Sequence, residues 1–210
     1  IEQMKTGLMD GIKVHHPVIF ILPLPPTFQH PFVNLPMLLK LNPDQPDEHK
    51  IRQIAECLRN DGVIIYPTDT VYGMGCSLRS QKALDRICRI RGLKAEKAQF
   101  SFLFYDLSHL SDYTRPVDTP VYKIMRKALP GPFTFILNAG NDIPKIYRTR
   151  RKTIGIRVPD NNICREIIKE SGMPLLNTSM HDDEDNILQY LNDPELIHDK
   201  YHKQVDMVVD

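Results

Sequence analysis

Residues 62–76 read GVIIYPTDTVYGMGC, which sets two threonines, an aspartate, a tyrosine and two glycines directly behind an apolar run. Thr68, Thr70 and Tyr72 can each donate and accept a hydrogen bond, which suits a small polar ligand such as an amino acid. Gly73 and Gly75 let the backbone approach a ligand closely or turn sharply. A turn held by its own side chains would use the same residues, and the sequence leaves both readings open. "GMGCSL" lacks the third glycine of a dinucleotide fingerprint, and no Lys-Ser/Thr follows as in a P-loop. Further on come Arg89, Arg91, Lys94 and Lys97. One cation there would complement the carbonyl end of a helix; four could clamp a triphosphate. Arg157 stands between hydrophobic residues of "TIGIRVP". Turned outward it carries no message; turned inward it needs a carboxylate or a phosphate. "NTSM" at 177–180 ends another apolar run in hydroxyls.

These groups need a scaffold, and hydrophobic spacing supplies one. From His49, apolar Ile51, Ile54, Ala55 and Leu58 follow one helix face, which ends at Asn60-Asp61-Gly62. Val63 to Tyr66 then reads as a buried strand that hands over to the Pro-Thr-Asp-Thr turn. Ser80 can cap a second helix, with Ala83, Leu84, Ile87 and Cys88 inward and Gly92 as its stop. "FSFLF", "FTFIL", "TIGIRV", "PLLNTS" and "VDMVVD" read as strands. Between them, Thr119-Pro120 opens a helix with Val121, Ile124, Met125 and Ala128 on one side, and Asp160 caps another that stops at Gly172. Strands and helices alternate, but several connections are too short for a simple crossover. The expected fold is therefore a single α/β domain with a twisted, mixed sheet and flanking helices. In such sheets, ligands bind beyond the carboxyl ends of strands.

Composition bounds the function classes. The 210 residues, 41% hydrophobic and 25% charged, suffice for one core and fit an ordinary globular class. A formal charge of +1 gives no global case for nucleic acid, so any basic surface is local. The "KIYRTRRK" cluster contributes Lys145, Arg148, Arg150, Arg151 and Lys152, while residues 181–199 are largely acidic. A solvated face or a phosphate-binding patch explains such a run. Cys57, Cys76, Cys88 and Cys164 form no CxxC pair, which argues for free thiols in a reducing compartment, hence a cytoplasmic setting, and against structural zinc. No apolar run reaches the length of a membrane-crossing helix. Residues 1–36 are rich in proline and without period, so they are expected to form an extension outside a domain at 37–210. The closing segment after "VDMVVD" is expected to be cut short.

Five blocks in order, "YPTDTVYGMGC", "RIRGLKAEK", "LPGPFTFIL", "TIGIRVPD" and "PLLNTS", carry a resemblance. The chain resembles the YrdC/YciO group, the threonylcarbamoyl-AMP synthases and their relatives, over about residues 51–210. The resemblance implies a YrdC/RibB-like α/β twist around a large open basic cavity. It implies a nucleotidyltransferase joining L-threonine, bicarbonate and ATP into threonylcarbamoyl-AMP and pyrophosphate, for threonylcarbamoyladenosine formation in tRNA. Mg²⁺ would accompany ATP with few protein ligands. By position, Thr68, Thr70 and Tyr72 would line the threonine side. Arg89, Arg91, Lys97, Thr134, Arg157 and Ser179 would meet the nucleotide. Arg or Lys at 145, 148, 150, 151 and 152 would contact RNA. The chain is expected to work as a monomer or dimer, away from membranes.

Two departures point to the YciO branch. Synthases usually read Lys-x-Arg where this chain has Arg89-Ile90-Arg91. They also read Ser-Ala-Asn and then Ser-Gly, where it has Ser179-Met180-His181 followed by acids. The alternative function is therefore a non-catalytic protein that binds nucleotide or double-stranded RNA (tRNA or rRNA).

Overall fold

The computed structural model describes residues 37–94, 98, 100–140, 143, 152–180 and 192–210. The described chain runs β1 (Met37–Leu39), α1 (Glu48–Arg59), β2 (Val63–Tyr66), β3 (Gly73–Ser77), α2 (Gln81–Ile90) and β4 (Ser101–Leu103). It continues through a 3₁₀ turn (Leu110–Asp112) to α3 (Thr119–Ala128), β5 (Phe135–Asn138), β6 (Thr153–Arg157), α4 (Asn162–Ser171), β7 (Leu175–Ser179), α5 (Pro194–Tyr201) and β8 (Met207–Val209). The eight strands form one mixed sheet in the order β1-β8-β2-β3-β7-β4-β6-β5. β1, β8 and β2 run parallel, as do β4 and β6, and the remaining neighbours are antiparallel. The twisted, mixed α/β sheet read from the spacing is the observed fold.

Helices cover both faces of the centre, which is why all four residues of β2 are buried. On one face α1 and α4 bring Ile51, Ile54, Leu58, Ile163 and Ile167 onto Ile64, Tyr66, Leu103 and Leu175. On the other, Ala83, Leu84 and Ile87 of α2, Met125 of α3 and Ile197 of α5 meet Val63, Ile65, Met74, Phe102 and Ile156. Burying such a side chain contributes about 1.5–3 kcal/mol, so these two layers carry most of the stability.

Helix signals were sound to within a residue. Ser80 caps α2, its Oγ accepting from the Ala83 N–H at 3.0 Å. Gly92 and Gly172 adopt the left-handed conformation after α2 and α4, at φ 63° and 71°. Asn161, not Asp160, caps α4, and Asp118 precedes α3, so Pro120 takes the second helical position. Val121 and Ile124 of α3 lie exposed, at 38% and 59%, and only Met125 of that helix is buried. β1 and β3 were not foreseen as strands. In β3 the alternation is there, but glycine fills one side: Met74 and Cys76 face one core, while Gly73 and Gly75 leave room on the other. The extension expected at residues 1–36 lies outside the described residues.

Candidate functional site

β2 and β3 pair as an antiparallel hairpin with Tyr66 opposite Gly73, so residues 67–72 form its loop. The loop first holds itself. Thr68 Oγ1 donates to the Val71 carbonyl at 2.6 Å and accepts from the Thr70 N–H at 3.2 Å. The hydroxyls of Thr68 and Thr70 lie 3.2 Å apart. A second constraint reaches the loop from β6, far along the sheet. Nη2 of Arg157 donates to Oδ1 of Asp69 and, at 3.0 Å, to Oγ1 of Thr70.

Arg157 is only 8% exposed, and the Asp69 side chain 10%. Removing two charges from water costs several kcal/mol each, and their mutual attraction offsets that only with good geometry. Here Nε of Arg157 and Oδ2 of Asp69 have no hydrogen-bond partner among the described residues. The pair therefore earns its place through position: it fixes the hydroxyl loop over the sheet.

Register places the neighbours. Gly73 faces Ser179, Gly75 faces Asn177, Asn177 faces Ser101, and Ser101 faces Gly155, which in turn faces Ile136. Paired residues share a face of the sheet, so these positions and Arg157 lie on the side that α1 and α4 cover only in part. Toward β5 the face is open: Ile136 is 67% exposed, Thr134 and Thr153 are exposed, and Ser101 and Ser179 are half-buried. This open face, which small residues and Ile136 share and to which Arg157 ties the 67–72 loop, is the candidate trough.

Beneath the loop runs a buried polar chain. Tyr66 Oη donates to Asn177 Oδ1 at 2.9 Å, and Asn177 Nδ2 donates to Ser101 Oγ at 3.3 Å. Burial pushes the Tyr66 phenol well above its ordinary range, so it stays a neutral donor. Gly73 and Gly75 make this chain possible. A Cβ at 73 would collide with Asn177 Oδ1, and one at 75 would lie 2.7 Å from Tyr66 Oη. These glycines serve close packing of side chains inside a strand, in place of the ligand approach or sharp turn read from the sequence.

The candidate residues divide accordingly. Thr68, Thr70, Thr134, Arg157 and Ser179 are brought to one face or its edge. Tyr72 is not among them. Its ring joins the opposite core, and its hydroxyl donates to Asp210 at 2.7 Å; burial, then that carboxylate, raise its pKa. Its carbonyl accepts from the Met180 N–H at 2.9 Å, tying the loop to the end of β7. Arg89 is exposed and its Nε reaches the Asp85 carbonyl at 3.4 Å, a helix-end contact, while Arg91 forms the C-cap of α2. Lys97, Lys145, Arg148, Arg150 and Arg151 lie outside the described residues, and Lys152 is exposed beside β6. The sequence assigns no site role to Asp69, Tyr66, Asn177 or Ser101, although Asp69 stands in the threonine turn and Asn177 in "NTSM". An acid between two threonines, together with an arginine inside a strand, was the available signal for Asp69.

Among the described residues no three His, Cys, Asp or Glu side chains gather as a metal site, and no helix is long and apolar enough to cross a membrane. The family model for Sua5, YciO and YrdC, described as "Telomere recombination", matches residues 56–210. YciO of Escherichia coli K12, named an uncharacterized protein, is 39% identical over 170 residues, 80% of this chain and 81% of its own. The crystal structure of E. coli YciO superposes with a TM-score of 0.75 at 38% identity, covering 83% of each chain. A threonylcarbamoyl-AMP synthase of Nitrosococcus oceani is 31% identical over 130 residues, 62% of this chain and 70% of its own. P. abyssi Sua5, crystallised with L-threonine, shares the fold with a TM-score of 0.73 at 20% identity, covering 83% of this chain and 50% of that one.

Proposed function

The chain belongs to the Sua5–YciO–YrdC family, and from that premise we propose that it binds L-threonine and ATP in the trough and joins them, with bicarbonate, into threonylcarbamoyl-AMP. The observation that carries this reading is the loop pinned by Arg157. A buried guanidinium holds the Thr70 hydroxyl, which lies 3.2 Å from that of Thr68, beside an open strand face. A bare RNA groove has no use for such a pocket. The synthase name of the N. oceani relative and the L-threonine in the P. abyssi Sua5 structure agree with it.

The chemistry asks little covalent help from the protein. The threonine amine adds to CO₂ from bicarbonate, loses a proton and becomes a carbamate. A carbamate oxygen then attacks the α-phosphorus of ATP as the bond to pyrophosphate breaks. Catalysis is positioning of two anions and neutralisation of the leaving group. Thr68 and Thr70 would orient the amino acid, with Asp69 and Arg157 fixing the loop that presents them. Thr134 and Ser179 would meet the nucleotide, and the Arg89–Lys97 segment its phosphates, with Mg²⁺ entering on the triphosphate as part of the substrate. The product would serve tRNA threonylcarbamoyladenosine formation.

The test is pyrophosphate release from ATP with and without threonine and bicarbonate. Release that needs both is the expected result. ATP binding without threonine-dependent release would leave the non-catalytic nucleotide or RNA binder in its place.

A further inference from the structure

Where β4 and β6 finish and β7 begins, two clefts adjoin along the 105–108 segment. The larger, about 330 Å³, holds Lys169 paired with Glu166 at 3.2 Å and His109 3.4 Å from Asp112, and it shares Asp106 with its neighbour. The smaller is about 250 Å³. It is lined by Arg126 of α3, Arg165 of α4, Asp106 and the hydroxyl-bearing Tyr105, Tyr122 and Ser108. Among the described residues, Arg126 and Arg165 make no ion pair, and Asp106 accepts only the Ser108 N–H, at 2.8 Å. Arg165 is nevertheless fixed: its Nε donates to the Tyr105 carbonyl at 3.2 Å and its guanidinium lies 4.8 Å from the Tyr105 ring centre.

Two guanidiniums and one carboxylate thus share a cleft without neutralising one another. A guanidinium fork matches a phosphate, and a carboxylate in the same cleft matches hydroxyl donors, as acids read ribose in nucleotide sites. The volume is below that of sites for drug-sized ligands, which favours a fragment of that size over a whole nucleotide. We propose that this cleft binds a ribose phosphate, its phosphate on Arg126 and Arg165 and its sugar hydroxyls on Asp106, with any base projecting into solvent. The source is a free nucleoside monophosphate or an unpaired nucleotide of RNA. Its lining includes none of the residues assigned to the threonine trough, and the proposal stands whether or not that reading holds.

Titrations of the full chain with ribose 5-phosphate, followed by amide chemical shifts, test it. The expected shifts fall on Ser108 and Tyr122, and Arg126→Gln weakens binding about tenfold, as loss of a charge-assisted hydrogen bond should. Arg126 is exposed, so this variant folds. Asp106→Asn should weaken ribose 5-phosphate but leave inorganic phosphate unchanged. Parallel titrations with AMP and a single-stranded oligouridine identify the source by the tighter binder. Shifts confined to the 67–72 loop, affinity unmoved by Arg126→Gln, or ribose 5-phosphate binding no tighter than inorganic phosphate would each overturn the proposal.

Discussion

Arg157→Met removes the cation and keeps most of the side-chain length on β6. It leaves the Asp69 carboxylate, 10% exposed, without its partner, and takes the donor from Thr70 Oγ1. Breaking a buried ion pair from one side costs about 3–5 kcal/mol, because the surviving charge stays poorly solvated. The 67–72 loop can relieve part of this by swinging Asp69 into water, so the loss belongs at the lower end, about 3 kcal/mol, with loosening of the loop. Asp69→Asn leaves Arg157 buried beside a neutral acceptor and should also destabilise. In the double variant no orphaned charge remains, so its cost should fall short of the summed single costs by about 1–3 kcal/mol. Urea unfolding of the four proteins measures the cycle, and amide exchange at Asp69 and Thr70 reports the loop. Additive single costs, or loop amides equally protected in Arg157→Met, would refute the claim that this pair fixes the loop.

Thr70→Val keeps the shape and removes one neutral hydroxyl, so threonine should bind about 0.5–1.5 kcal/mol more weakly while ATP is unchanged in calorimetry. Gly75→Ala would set a Cβ 2.5 Å from the Leu176 carbonyl and 2.7 Å from Tyr66 Oη, and should cost about 1–3 kcal/mol in urea unfolding. Gly92→Ala meets nothing within 4 Å but adopts φ 63°, so about 1 kcal/mol of backbone strain is expected there instead. Burial pushes the Cys57 and Cys76 thiols up to about 12 from 9.0. The unfolded chain releases these protons first, so their contribution to stability is complete below about pH 9 and fades as pH climbs toward 12. Urea midpoints should fall between pH 8 and pH 10.5; a flat profile would contradict the burial.

Much of this protein is determined by local sequence. Helix caps and stops, the apolar faces of α1, α2 and α4, and the β2, β6 and β7 runs are properties of a dozen residues at most, and capping or periodicity expresses them directly. The five ordered blocks likewise pointed to the family. β3 escaped because its inner positions are glycines, whose role is to receive Tyr66 and Asn177 from other strands. Val121 and Ile124 have the spacing of a buried face and remain exposed, since the spacing of apolar residues does not say whether a partner layer exists. The site divides the same way. Hydroxyls at 68 and 70 announce themselves, but Tyr72 turns to the opposite face because side chains alternate as the loop enters β3. Arg157 is 88 residues from Asp69 in sequence, and whether it met phosphate, solvent or carboxylate depended on which strand lay across the sheet from it. Pairings between distant residues are set by strand order and register, and the tertiary structure alone supplies those.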